Sequence, residues 1–147
     1  MKRTRTLFGI LVAAALSGAT ACADSQQGQA GKNAVTFASS EKVAYTERMA
    51  GASAGAVWGD PDEGAHSAFT KFVRGFDAGM HSHTNDLSLV VLKGAYLYRD
   101  EAGEKRVGPG EFLRIPGGHK HWSGGDKKEG ALFYQHATGK FDFVPAK

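Results

Sequence analysis

Two short histidine-rich stretches carry the residues of this chain that could do chemistry. The stretch GMHSHTND holds His81 and His83, and the later stretch PGGHKHW holds His119 and His121. Residues two apart in a β-strand share a face, so each pair would project to one side wherever its segment is extended. Neutral imidazole is the commonest protein ligand of first-row transition metals. The pattern indicates a metal site built from both stretches; the alternative is turn or rim histidines without a ligand.

Short strands separated by glycine would have to position these histidines. Apolar or alternating runs occur in KVAYTERM, AVWGD, SAFTKFVRGF, LSLVVLKG, AYLYR, EFLRI, ALFYQ and FDFV, without a helical pattern of useful length. Glycines punctuate these runs as turns do, and DEAGE at 100–104 predicts a hairpin connection. Many short strands with regular turns predict an all-β fold, either an antiparallel sandwich or a barrel.

The N-terminal residues 1–21 are predicted to be an export signal outside the fold. Lys2, Arg3 and Arg5 precede the apolar run LFGILVAAAL, and the small residues SGATAC follow it. This order is typical of a secretory signal peptide, and the apolar run is shorter than the ~20 residues of a membrane span. The predicted location is therefore the cell envelope.

Cys22, the only cysteine, follows the small-residue stretch directly. Its position favours a bacterial lipoprotein, in which the thiol carries lipid, although Ala19-Thr20-Ala21 would also serve as an ordinary A-x-A cleavage site. The protein would then be periplasmic, or attached to a membrane through the lipid on Cys22 alone. A single cysteine excludes an internal disulfide and a thiolate metal cluster.

Composition sets the domain organisation and argues against nucleic-acid binding. Residues 22–34 are polar and small and predict a flexible linker, while residues 35–147 suffice for one domain and are too few for two. Three of the eighteen Lys and Arg residues lie in the signal, which leaves fifteen to balance fifteen Asp and Glu residues. A neutral mature chain does not favour nucleic acid as a partner, since binding it calls for a clustered basic face.

Two further enzyme classes lack their motifs. GASAG at 51–55 fits the letters of a hydrolase nucleophile elbow, but it lacks the strand-to-helix context that the elbow requires. It is interpreted as a small-residue loop. The phosphate-binding pattern GxxxxGK[ST] does not occur.

The two histidine stretches resemble the paired motifs of the cupin superfamily. GFDAGMHSH, with Gly94 downstream, is similar to the first motif, and GEFLRIPGGHKH is similar to the second. The resemblance implies a cupin-type double-stranded β-helix, a jelly-roll-like barrel of antiparallel strands. It also implies one divalent transition metal, iron, zinc or manganese, held inside by His81, His83 and His121. VWGDP and the ending GKFDFVPAK resemble small single-domain bacterial cupins of unassigned function.

The chain departs from the cupin pattern at one ligand. The glutamate of the first motif would fall on Leu87, which cannot coordinate a metal. Three neutral imidazoles would leave the charge of a divalent ion intact and call for an anionic ligand, hydroxide or substrate. Asp86 could compensate as a ligand; its other possible role is that of a turn residue bonded to its own backbone.

Three more histidines are weighed beside the motif ligands. His119 could be a fourth ligand, an acid or base beside the metal, or a rim residue. His136 could point into the barrel mouth or into solvent, and His66 is expected at the surface.

Three functions are compatible with this interpretation. The leading one is metal-dependent chemistry on a small molecule, most specifically as an iron dioxygenase, because some cupins of that activity have three-histidine sites. The alternative is a non-catalytic zinc-binding module that senses or binds a small ligand, as the cupin domains of some anti-sigma factors do. The third is a barrel without metal, for which Leu87 is the best argument. Cupin barrels often pair through their sheets, so a homodimer would be compatible with the resemblance.

Overall fold

The computed structural model of the protein describes residues 34–146. The predicted signal peptide at 1–21, Cys22 and all of the predicted linker except its last residue lie outside the described residues. Export, lipid attachment at Cys22 and the domain boundaries therefore stay predictions. No helix within residues 34–146 is long and apolar enough to cross a membrane.

Residues 34–146 form strands, turns and irregular segments, and no helix. The strands are β1 (Thr46–Met49), β2 (Ala52–Gly59), β3 (His66–Phe72), β4 (Asp77–Ser82), β5 (Leu87–Gly94), β6 (Tyr96–Asp100), β7 (Gly103–Val107), β8 (Phe112–Ile115), β9 (His121–Gly125), β10 (Ala131–Ala137) and β11 (Val144–Pro145). The predicted hairpin at 100–104 is confirmed, because β6 and β7 pair up to Asp100 and Gly103.

The strands make two antiparallel sheets. One sheet has the order β1-β2-β3-β10-β5-β8 and the other the order β11-β4-β9-β6-β7. Strands distant in sequence lie side by side, as in a jelly roll, and this confirms the predicted all-β, cupin-type fold class. Among the described residues the two sheets are hydrogen-bonded separately and do not close into one continuous barrel.

The apolar core fills one side of the space between the sheets. Residues alternate between buried and partly exposed along β10 and through the first half of β5, as expected for strands with one face against a core. Leu89, Val91 and Phe133 are at most 1% exposed and pack with Tyr96 and Ile115. The neighbouring strand β2 instead presents small residues inward, and β3 adds Ala68, which leaves room for a cavity on that side.

The interpretation of GASAG as a loop was wrong. Four of its five residues lie in β2, and Ala52, Ala54 and Ala56 pair with β3 across the sheet. The small residues are needed for close packing: a Cβ on Gly55 would lie 2.8 Å from the carbonyl oxygen of Ala44. A run of Ala, Ser and Gly lacks the β-branched and aromatic residues that usually indicate a strand.

Candidate metal centre

Adjacent strands bring the three motif histidines together. His81 near the end of β4 pairs with His121, the first residue of β9, and His83 follows β4 by one residue. The ring centroid of His81 lies 4.3 Å from that of His121 and 5.0 Å from that of His83. Ring nitrogens of the three residues, one from each, all lie within 4.8 Å of one another. Three points this close share a centre about 2.8 Å from each at most, so movements of less than about 1 Å would reach the ~2.1 Å of a Zn–N bond.

The second nitrogen of each ring is bonded to a backbone carbonyl. The Nδ1–H of His81 donates to the carbonyl of Gly79 at 2.9 Å. That of His83 donates to the carbonyl of Asp142 at 2.6 Å, and that of His121 to the carbonyl of His119 at 3.0 Å. Such bonds fix both the tautomer and the ring orientation of metal-binding histidines. The lone pair of each neutral ring is thereby placed on Nε2.

The Nε2 atom of His121 gives the sharpest indication of a missing ligand. His121 is 0% exposed, and its Nε2 has no hydrogen-bond partner among the described residues. A buried acceptor left unpaired costs about 1–3 kcal/mol, so native structures rarely keep one without a reason. A divalent metal would satisfy this lone pair together with those of His81 and His83, so the donor set fits such an ion.

Burial also keeps the rings of His81 and His121 in the form that binds metal. It lowers the pKa of His81 to about 4, with a smaller contribution from the neighbouring His121 and His83, and it lowers the pKa of His121 as well. Both rings are therefore neutral at pH 7. Metal binding would not have to displace a proton from either of them.

The lowered pKa of His81 predicts that the metal-free protein loses stability in mild acid. The unfolded chain takes up a proton near pH 6.5 and the folded chain only near pH 4, so the unfolded state binds more protons in between. We expect the free energy of unfolding to fall by about 1–3 kcal/mol as the pH drops through this window. Urea unfolding at several pH values measures it. The same pH dependence in His81→Gln would contradict the assignment.

Aromatic side chains pack against the histidine rings. Phe143 stacks on His81 with centroids 4.4 Å apart, Phe141 lies 5.3 Å from His83, and Tyr98 stacks on His121 at 5.7 Å. Sequence reasoning did not place the contacts of Phe141 and Phe143 with the histidines. These contacts restrict the motion of the histidine rings.

Asp142 ties the C-terminal segment to the site. Its carboxylate accepts hydrogen bonds from the backbone N–H of Thr84, at 2.8 Å, and from the Thr84 hydroxyl. Its carbonyl receives the Nδ1–H of His83, and the following β11 pairs with β4. This single residue thus orients a candidate ligand and holds the aromatic cover in place, although sequence reasoning did not single it out.

Replacing Asp142 with alanine should weaken metal binding without removing a ligand. The loss of both bonds to Thr84 would loosen the carbonyl that orients His83, and partners of this kind usually contribute about 10–100-fold in metal affinity. We expect a loss of about tenfold for zinc in a competition titration. Lys140→Ala is the matched control, because that exposed side chain lies in the same segment. An unchanged affinity in Asp142→Ala would show that the segment does not orient the site.

Leu87 and Asp86 take structural positions beside the histidines. Leu87 is 5% exposed, begins β5 and belongs to the apolar core. The Asp86 carboxylate accepts a hydrogen bond from the Gly117 N–H at 2.8 Å and forms an ion pair with Arg114. Asp86 therefore lies outside the three-histidine group and joins the turns that carry the two motifs.

His119 and His136 also lie outside the group. The side chain of His119 is exposed, with Nε2 3.0 Å from the Asp100 carboxylate, and its contribution to the site is the carbonyl that orients His121. His136 lies on the outer face of β10, with Nδ1 3.1 Å from the Ser67 hydroxyl.

The expectation of a surface position for His66 was wrong. His66 is 1% exposed and lies at the start of β3, where its side chain lines the cavity beside the small residues of β2. This cavity measures about 130 Å³ and is bounded by the rings of His81 and His83 and by the alanines of β2. No Asp or Glu within residues 34–146 lines it. The candidate metal centre therefore adjoins a partly open cavity that could hold a small molecule.

Comparisons with known proteins agree with this architecture. A family model described as "Domain of unknown function (DUF4437)" matches residues 46–147. A search of curated proteins found no match.

Several solved structures share the fold. The polyketide cyclase RemF from Streptomyces resistomycificus is similar with a TM-score of 0.66 at 16% identity, covering 78% of this chain and 87% of that one. KdgF from Halomonas sp. gives 0.58 at 20% identity, with 70% and 94% covered. An RmlC-like cupin from Shewanella frigidimarina gives 0.57 at 14% identity, with 71% and 92% covered. At these identities the comparison establishes the cupin fold alone.

Proposed function

The chain belongs to the DUF4437 family, a domain of unknown function, and from its site we propose that it is a metal-dependent enzyme acting on a small molecule. Nε2 of His81, His83 and His121 would hold one divalent transition metal. The observation that carries the proposal is the fully buried Nε2 of His121, which has no partner among residues 34–146, within a group whose three Nδ1–H groups all donate to backbone carbonyls.

The cavity supports a catalytic role over a purely structural metal. A structural zinc site is closed by four protein ligands, whereas a catalytic site keeps a position open. Among residues 34–146 only three side chains of metal-ligating type converge here, and Leu87, at the position of the cupin glutamate, gives the adjoining cavity an apolar wall. The cavity borders the rings of His81 and His83, so a small molecule could reach the open side.

Charge favours an anionic atom on the small molecule. Three neutral imidazoles leave the charge of a divalent ion uncompensated, and no carboxylate from residues 34–146 lines the cavity. Its one lining guanidinium, that of Arg48, is paired with Asp62 at 3.5 Å. A bound divalent metal would supply Lewis-acid chemistry, or redox chemistry if it is iron. The protein would contribute orientation, through the three carbonyl-bonded histidines, and shielding from water, through Phe141 and Phe143.

Metal loading tests this proposal. The full chain, purified without chelator, should bind one equivalent of zinc, iron(II) or manganese(II), and His81→Ala should bind none. His136→Ala is the control, since it removes a histidine from the outer face. No binding by the unaltered protein after reconstitution with all three metals, or full binding by His81→Ala, would overturn the proposal.

The identity of the metal that copurifies with the protein distinguishes an enzyme from a non-catalytic binding module. Iron or manganese would favour an enzyme, with iron-dependent oxygenation as the specific prediction. Zinc closed off by a fourth ligand would favour the non-catalytic sensor or binding module.

A further inference from the structure

The cavity has a second polar region on the wall opposite the histidines. His66 and Thr70 of β3 and Gln135 of β10 all line it, at 1%, 7% and 6% exposure. They belong to the sheet that faces the one carrying β4 and β9. Polar side chains buried to this degree are normally part of a hydrogen-bonded network, so a cluster facing a cavity requires an explanation.

The sheet register places the three polar side chains around the methyl group of Ala68. Gln135 lies directly across from Ala68, while His66 and Thr70 are two residues before and after Ala68 on the same strand. Diagonal neighbours on one face of an antiparallel pair are about 7–8 Å apart, which lets long side chains converge. On the other flank β2 lines the cavity with the small residues Ala52, Ser53, Ala54 and Ala56. The small residues leave space above the polar ones.

One member of the cluster has no partner. Thr70 is more than nine-tenths buried, and its Oγ1 makes no hydrogen bond with any of residues 34–146. A hydroxyl in this state loses its bonds to water without replacement, which costs about 1–3 kcal/mol. Its place in the cavity lining means that a bound molecule could supply the missing bond.

The chemistry of the cluster selects the group it would bind. His66 donates its Nδ1–H to the carbonyl of Gly64 at 3.0 Å, so the neutral ring offers only an acceptor at Nε2. A partner for His66 must therefore donate, which a carboxylate or phosphate dianion cannot do. The amide of Gln135 and the hydroxyl of Thr70 can each donate in turn. A hydroxyl group, with one donor and two acceptor positions, satisfies all three side chains.

We propose that His66, Thr70 and Gln135 form a subsite that binds a hydroxyl group of the small-molecule ligand. The rest of the lining is largely apolar, with Phe72, Phe76 and Phe133 among its walls, so the ligand is a hydroxylated molecule with a compact, mainly apolar body. That the subsite orients this molecule toward the metal rests on the proposed function, whereas binding of the hydroxyl does not.

Binding of phenol and toluene to chelator-treated protein tests the subsite without involving the metal. Phenol carries a hydroxyl group where toluene carries a methyl group. NMR titration reports both the affinity of each probe and the residues near which it binds. We expect phenol to shift the resonances of β3 and β10. Thr70→Val, a near-isosteric change, should weaken phenol binding about five- to tenfold and leave toluene binding equal or tighter.

Two further variants complete the experiment. Gln135→Leu should act in the same direction as Thr70→Val, and it replaces that variant if the latter fails to fold. Thr46→Val makes the same chemical change on exposed β1, outside the cavity, and should alter neither affinity. Absence of phenol binding, or an equal effect of the cavity variants on phenol and toluene, would overturn the proposal. Since no metal is present, failure of the subsite and failure of the metal site are separate results.

Discussion

Replacing His121 with leucine is expected to abolish metal binding while leaving the fold intact. The change removes one of three ligands. Loss of a residue that only hydrogen-bonds a ligand lowers metal affinity by up to ~100-fold, so loss of a ligand itself should lower zinc affinity by more. Leucine is similar in size to histidine and carries no polar side-chain atom. Removing the buried, unpaired Nε2 should stabilise the metal-free fold, and this gain should offset the loss of the hydrogen bond to the His119 carbonyl. The free energy of unfolding without metal should therefore stay within about 1 kcal/mol of that of the unaltered protein.

Competition titration with zinc and urea unfolding of the metal-free protein measure the two parts of this result. His136→Leu is the control, because its ring lies on the outer face of β10 and should not affect zinc affinity. A large loss of stability in His121→Leu would mean that the ring is retained for packing. Unchanged zinc binding would mean that His121 is not a ligand.

The position of the histidines could be predicted because local rules cover most of it. His81 and His83 are two residues apart at a strand end, and the glycines around them predict turns on either side. Their meeting with His121 depends on pairing between β4 and β9, in which His81 and His121 are 40 positions apart. No local periodicity specifies such a pairing, and only the resemblance to the cupin motifs supplied it.

His66 shows why the cavity could not be predicted. Along β3 the inward residues include His66, Ala68 and Thr70, while Phe69 lies on the outer face against Tyr134. The large apolar residues of this strand are divided between its faces, because Phe69 lies outward and Phe72 lines the cavity, so alternation alone does not decide which face is inward. Where the sheet bounds a cavity, small and polar residues face inward.

The residues that orient the candidate ligands could not be predicted from the sequence, for a different reason. His83 and Asp142 are 59 positions apart, and their bond uses a backbone carbonyl that every residue possesses. Tyr98 donates its hydroxyl to Asp100 at 2.7 Å, and the same carboxylate contacts His119, which orients His121. Residue types and spacing cannot indicate a network assembled from common groups on separate strands. The ligands were therefore predictable and their supports were not.

Introducing glutamate at position 87 should make the stability of the fold depend on metal. Leu87 lies between Ile115 and Ala137 in the sheet and lines the same cavity as His81 and His83. Without metal, Leu87→Glu buries a carboxyl group among apolar neighbours and removes core packing, and we expect a loss of about 3–5 kcal/mol in the free energy of unfolding. Burial should also raise the pKa of the new carboxyl, so the loss should be smaller at acidic pH than at neutral pH.

With zinc present, the same carboxylate would become a fourth ligand and neutralise part of the charge that three imidazoles leave. Zinc should then raise the unfolding temperature of Leu87→Glu by more than that of the unaltered protein, because a tighter ligand stabilises the folded state further. Leu89→Glu is the matched control, since Leu89 faces inward on the same strand, is 1% exposed and does not line the cavity. It should lose comparable stability and gain nothing more from zinc. Equal responses of the two variants to zinc would mean that position 87 does not face the metal, and that the apolar wall proposed for the open side of the site lies elsewhere.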